Sequence, residues 1–147
     1  VINELDRLGL RESTAIIFTT DHGYHLGEHG FWQKANLHEE VVRVPLIVST
    51  PGIKPGRTSS LVELVDLYPT ITDLIEIPIP NGLHGKSLIS ILKNPNSKTR
   101  NTALSIHKRN GGGLRSAEWH YMNYGGKGEE LYDMIKDPHQ YTNLVSS

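Results

Sequence analysis

The sequence predicts an α/β protein carrying an additional small antiparallel sheet, and three observations support this. Two short apolar runs, residues 15–20 and 44–48, bracket a polar loop rich in glycine and histidine. Apolar residues at helical spacing flank these runs, at residues 1–10 and 66–76. The last third instead alternates, as in Thr102-Ala103-Leu104-Ser105-Ile106-His107.

Taken in order, Val1, Ile2, Leu5, Leu8 and Leu10 predict a helix that Gly9 ends. Residues 15–20 are β-branched and aromatic and read as a buried strand. A helix feeding a buried strand is half of a βαβ unit, whose first strand is expected upstream of Val1. The loop from Asp21 to Lys34 carries Gly23, Gly27 and Gly30, where backbone can turn sharply or approach a ligand closely. Phe31 and Trp32 are its candidate anchors. Asn36 is the expected N-cap of a short helix over about 37–42, with Glu39 completing a capping box. Pro45 restricts the next strand to a start or edge position.

Turn signals at residues 49–52 and 54–56 lead to a helix over 66–76 that starts near Pro69. Pro78, Pro80 and Asn81-Gly82 stop it. Residues 83–92 predict a short helical turn, followed by a polar loop at 94–97. Beyond the alternating strand, Gly111-Gly112-Gly113 reads as a flexible tip. Leu114-Arg115 and residues 119–124 are expected to pair antiparallel, with residues 130–133 as a further strand and Asp137-Pro138 as a turn. The chain thus divides into residues 1–100, an α/β body holding the loop 21–34, and residues 101–147, a small antiparallel sheet subdomain.

Composition sets outer bounds. The 147 residues suffice for a real core, and 37% hydrophobic with 21% charged content is ordinary for a globular domain. A net charge of -1 argues against nucleic acid or an anionic membrane as partner. No apolar run approaches the roughly 20 residues that span a bilayer. There is no cysteine, hence no disulfide and no thiolate ligand.

Chemistry concentrates where the first strand ends. Ligand sites of open α/β sheets lie just past the carboxyl ends of strands, and there Asp21 and His22 meet Gly23. A turn can bring both side chains to one cation. An oxygen-rich site takes Ca²⁺ or Mg²⁺, and imidazole also suits Zn²⁺. The competing reading is a turn-capping Asp21 beside a surface His22. His22, His25, His29 and His38 invite a zinc hypothesis, but their spacing on a glycine-broken loop is not specific. Glu28 reads equally as a general base or a solvated carboxylate. Lys34, thirteen residues past Asp21, can fold back so that its ammonium meets a sulfate or phosphate, or it is an ordinary exposed lysine.

The run Thr19-Thr20-Asp21-His22-Gly23-Tyr24-His25-Leu26-Gly27-Glu28-His29-Gly30-Phe31-Trp32-Gln33-Lys34 resembles the C-terminal metal and substrate loop of the sulfatases. These belong to the alkaline phosphatase superfamily, and the iduronate-2-sulfatase-like branch is the most similar. Val65-Asp66-Leu67-Tyr68-Pro69-Thr70, Leu83-His84-Gly85-Lys86-Ser87-Leu88, Glu130-Leu131-Tyr132-Asp133 and Asp137-Pro138 fit the same family. The resemblance implies the C-terminal part of an alkaline-phosphatase-like mixed sheet flanked by helices, over residues 1–100. It implies Asp21 and His22 as two ligands of one divalent cation, usually Ca²⁺ with Mg²⁺ as the variant, and Lys34 as the sulfate-contacting catalytic lysine. A formylglycine nucleophile, made within a Cys/Ser-x-Pro/Ala-x-Arg motif, is implied upstream. The implied partners are a sulfated small molecule or glycan and an N-terminal part of the same protein. The implied location is periplasmic, secreted or lysosomal.

One departure matters. The chain has no cysteine, and no serine followed by Pro or Ala at +2 and Arg at +4. The expectation is therefore a segment that holds part of an active site and is inactive alone. Two alternatives stand beside it: a phosphoester or phosphonate ester hydrolase of the same superfamily, and a non-catalytic metal- or anion-binding module. His107, Lys108, Arg109 and Arg115 are either a basic rim for a sulfated sugar or a solvated strand end.

Overall fold

A computed structural model describes residues 1–107 and 110–145. Helix α1, Ile2–Arg7, ends at Gly9, whose φ of +67° is the left-handed turn that glycine tolerates. A 3-10 turn, Arg11–Ser13, leads into strand β1, Ile16–Thr19. Strand β2, Leu46–Ser49, pairs with β1 antiparallel, from Ile16 opposite Ser49 to Thr19 opposite Leu46. Pro45 stands just before β2, a position where its missing N–H costs nothing.

The expected burial of the first strand is not seen. Phe18 is 59% exposed, and so is its cross-strand partner Ile47, at 61%. A two-stranded ribbon can bury only one of its faces, and these two side chains stand on the other.

Helix α2, Glu39–Val42, is shorter at its start than expected. His38, not Asn36, is the N-cap, and no capping box forms. The Asn36 amide is instead drawn into a buried contact with His25. A capping box does occur further on, where Glu63 and Asp66 close the 3-10 turn Leu64–Asp66 ahead of helix α3, Leu67–Leu74. Pro69 lies in the first turn of α3, where its missing N–H needs no partner. Helix α4, Ile89–Lys93, occupies the second half of the expected turn.

Asp66 ties this region together. It is fully buried, and its Oδ1 accepts the Lys86 backbone N–H at 2.8 Å and the Arg100 guanidinium. Its Oδ2 accepts the Glu63 N–H at 2.8 Å, and Arg100 also pairs with Glu63 at 2.5 Å. A buried carboxylate is tolerated only when its lone pairs are filled in this way.

The last third is a meander of four antiparallel strands in chain order: β3, Ala103–His107; β4, Gly111–Arg115; β5, Trp119–Asn123; and β6, Glu129–Asp133. The expected flexible tip at residues 111–113 is strand β4 itself. A Cβ on Gly111 would lie 2.8 Å from the Asn123 and His107 carbonyl oxygens, and one on Gly113 3.2 Å from His120 Nε2. The glycines let β4 sit close between its neighbours. One face of this sheet supplies Met122, Tyr132 and, just beyond it, Met134 to a core that Leu37 completes from the loop side. Val42 and Tyr124 pack at its margin. The glycine- and histidine-rich segment is thus backed by the meander.

Candidate active-site loop

Strand β1 ends at Thr19, and the next polar residues turn away from it. Thr20 Oγ1 lies 3.3 Å from both Asp21 Oδ1 and the His22 carbonyl oxygen. Gly23 donates its N–H to the Val41 carbonyl at 2.7 Å. A Cβ on Gly23 would fall 1.9 Å from the Glu40 carbonyl oxygen, so only glycine lets the loop press against α2.

The loop then doubles back. His25 N–H donates to the Gln33 carbonyl at 3.0 Å, and Gly27 N–H to the Phe31 carbonyl at 3.0 Å. Tyr24 Oη donates to the Trp32 carbonyl at 2.9 Å. The reversal needs left-handed backbone at Gly27, His29 and Gly30, with φ of +123°, +55° and +73°. Lys34 is returned to the start of the loop, its Nζ 2.6 Å from His22 Nε2.

The site's proton positions follow from these contacts. His22 Nδ1 is 2.8 Å from the Gly23 carbonyl, which can only accept, so Nδ1 carries the hydrogen. Nε2 then offers a lone pair, which the Lys34 ammonium meets. Asp21 Oδ2 is 3.6 Å from the same Nε2. The Asp21 carboxyl is held below the usual carboxylate range by its own backbone N–H first and His22 second. A carboxylate, an imidazole whose Nε2 faces outward and the Lys34 amino group therefore share one corner. Asp21, His22 and Lys34 are brought together. Among the described residues no group of three or more His, Asp or Glu is arranged to hold a metal ion. Asp21 and His22 are a pair of donors, and the carbonyl contact on Nδ1 fixes the tautomer that a metal-ligating histidine needs.

The residues that spacing left undecided form the underside of the loop. His25 is fully buried, with Nε2 2.7 Å from Asn36 Nδ2. His29 stacks on His38 with ring centroids 4.3 Å apart, and its Nε2 is 3.7 Å from Glu40. His38 Nε2 reaches across to Glu130 of β6 at 3.1 Å. That hydrogen bond holds the Glu130 carboxyl below its ordinary range. Burial, then the His38 charge, pushes the His29 pKa down. Glu28 accepts the Leu26 N–H at 2.6 Å and braces the turn from outside.

Gln140, which no motif or spacing singles out, is buried at the centre of this junction. Its Oε1 accepts the Glu39 N–H at 2.8 Å, and its Nε2 lies 3.0 Å from His120 Nδ1. Of the basic residues weighed for a sugar rim, Arg115 donates to Glu39 at 3.0 Å, and His107 packs edge-on against Tyr124. Lys108 and Arg109 lie outside the described residues.

Comparison with known proteins gives a consistent picture. The family described as N-sulphoglucosamine sulphohydrolase, C-terminal, matches residues 27–147. Mouse arylsulfatase K is 32% identical over 99% of this chain, which covers 29% of that protein. A structure solved in complex with its substrate D-glucosamine-2-N,6-O-disulfate superposes with a TM-score of 0.88 at 31% identity, over 99% of this chain and 33% of the other. The phosphonate monoester hydrolase of Agrobacterium radiobacter superposes with a TM-score of 0.85 at 25% identity, over 99% and 33%. The chain spans about three-tenths of the length of the relatives it matches.

Proposed function

Because the chain belongs to the sulfatases, in the family described as N-sulphoglucosamine sulphohydrolase, C-terminal, we propose that it forms the metal- and sulfate-contacting part of an enzyme that hydrolyses sulfate esters of a carbohydrate. In this reading Asp21 and His22 are two ligands of one divalent cation, Ca²⁺ in preference to Mg²⁺. The remaining ligands and a formylglycine nucleophile come from residues outside these 147. The bound cation would polarise the sulfate oxygens.

The chain's own groups have separate tasks. Asp21 keeps its negative charge at neutral pH, as a ligand must. The Gly23 carbonyl holds the His22 ring so that Nε2 keeps its lone pair outward. Lys34 places a positive charge where sulfate oxygens gain negative charge as the ester bond breaks. The observation that carries this reading is the return of Lys34 Nζ to within 2.6 Å of His22 Nε2. A corner that accepts an ammonium beside a carboxylate is suited to a cation; with the cation on His22 Nε2, Lys34 turns instead to the anion that the cation binds.

The experiment uses the full-length enzyme and an aryl sulfate. Lys34→Ala is expected to lower kcat about 100-fold or more while calcium affinity holds. Asp21→Asn is expected to weaken calcium binding, measured by calorimetry, as well as turnover. Wild-type kcat/KM in Lys34→Ala would remove the sulfate-contact role.

A second reading, a phosphonate or phosphate ester hydrolase, draws support from the likeness to the Agrobacterium enzyme. Asp21, His22 and Lys34 suit a phosphoryl group equally well. The kcat/KM of wild type on an aryl sulfate against a matched phenylphosphonate monoester separates the two.

A further inference from the structure

Lys34 stands on no regular element, since residues 31–37 form neither helix nor strand. We infer that His25, with Asn36 as its partner, is the positioning residue of Lys34: this buried pair sets where the lysine stands relative to Asp21 and His22. The use made of Lys34 rests on the sulfatase reading above, whereas the clasp itself rests on the geometry of the loop.

His25 grips both flanks of the lysine. Its backbone N–H donates to the Gln33 carbonyl at 3.0 Å, one residue before Lys34. Its ring Nε2 lies 2.7 Å from Nδ2 and 3.0 Å from Oδ1 of Asn36, two residues after Lys34. A side-chain amide offers both a donor and an acceptor, so either tautomer of the ring finds a partner there. The same Oδ1 accepts the His38 N–H at 3.3 Å, which ties the pair to the start of α2. Tyr24 also holds the returning limb, through the Trp32 carbonyl, but that contact is exposed and lies only before Lys34.

The clasp is fixed while the tip of the lysine is not. His25 is fully buried, and Asn36 is 7% exposed. The rings of Phe31, His29 and His38 meet the His25 ring edge-on, with centroids 5.5, 5.7 and 5.6 Å away. Asn36 is the one hydrogen-bond partner of this ring among the described residues. Nδ1 is buried without a partner, 4.0 Å from Glu28. A buried polar ring with a single partner cannot exchange it for water without leaving its site. Lys34, by contrast, is exposed, so its ammonium can leave His22 Nε2 for an anion while its backbone stays in place. A fixed backbone carrying a mobile charge suits contact with a group that arrives and departs at every turnover. His25 also lies only three residues after His22, so one short stretch carries both the cation-facing ring and the clasp.

The test uses the full-length enzyme with His25→Phe, which keeps a ring among the same neighbours but removes both ring nitrogens. Asn36→Ala removes the partner and leaves His25 in place. Each is also combined with Lys34→Ala. Aryl sulfate kinetics and calcium affinity by calorimetry are measured, together with acetylation of the Lys34 amine by acetic anhydride in the calcium-free enzyme, followed by mass spectrometry. Each single variant is expected to lower kcat about tenfold, with calcium affinity held. In the Lys34→Ala background the same substitutions should lower kcat by less than about twofold, because the residue they act through is gone. Lys34 should acetylate faster in both variants than in wild type, with the exposed Lys127 unchanged. An equal loss of kcat with and without Lys34 would overturn the inference, since His25 would then support the fold in general. Wild-type kcat and wild-type Lys34 acetylation in both variants would overturn it as well. Absence of sulfate ester hydrolysis in the wild type would instead overturn the sulfatase reading, and the acetylation comparison would still decide the clasp.

Discussion

Gly23 stands where any side chain would strike the Glu40 carbonyl, 1.9 Å from the Cβ position. That obstacle is backbone, so it cannot rotate away. Gly23→Ala is expected to push the loop off α2, at a cost of about 1–3 kcal/mol, and to lower kcat/KM by moving Asp21 and His22. Thermal unfolding and aryl sulfate kinetics of the full-length enzyme check both effects; an unchanged Tm would mean the loop relaxes freely. The meeting of Asp21, His22 and Lys34 is legible in the sequence, because they bracket one glycine-rich loop after a strand; their roles toward a metal and a sulfate are the proposal above. Asn36 was misread. An asparagine before an acidic helix start looks like a cap, and nothing local reveals that His25 will claim its amide. Gln140 left no local signal either, since its partners are His120 and the backbone of Glu39, 101 residues away.

At the scale of elements, the junction between α2 and β5 is built to be neutral at one point and charged around it. Burial first, then the Arg115 charge, pushes the pKa of His120 down from 6.5 to about 4. As pH falls through 6.5 the unfolded imidazole takes up a proton that the folded one refuses. The unfolded state then binds more protons, so stability falls with acid between about 6.5 and about 4, by up to about 3 kcal/mol. His29 is shifted in the same direction. The depressed Glu130 carboxyl extends the loss further as pH falls below its ordinary range. His120→Gln, which cannot titrate, is expected to flatten the dependence of Tm on pH between 7 and 5. An identical slope in wild type and variant would place the acid sensitivity elsewhere. Strand β3 is readable because residues 103–107 alternate at the period of a pleat, and β5 because its aromatic run follows a turn and can pair with Leu114-Arg115. Strand β4 was not, because three glycines carry no strand propensity and its pairing is decided by how closely β3 and β5 approach.

For the whole molecule, surface area is the deciding quantity. A compact monomer of 16.4 kDa exposes roughly 7,500 Å² by the usual scaling, whereas this chain exposes 10214 Å². The excess has a chemical character. Phe18 and Ile47 stand outward on the β1–β2 ribbon. Leu104, Leu114, Tyr121 and Leu131 form one row across all four strands of the meander, opposite each other in register. The first three are exposed by 53%, 44% and 37%. Apolar rows of this kind favour association. Residues 1–147 prepared alone are therefore expected to elute above monomer mass in size-exclusion chromatography with light scattering, and to bind a hydrophobic dye. Ile47→Lys combined with Tyr121→Lys should lower both signals, since each places a charge at the centre of one apolar face. A monomer that binds no dye would mean these faces close against each other in solution. The excess area would then belong to an extended shape and not to a surface that needs covering.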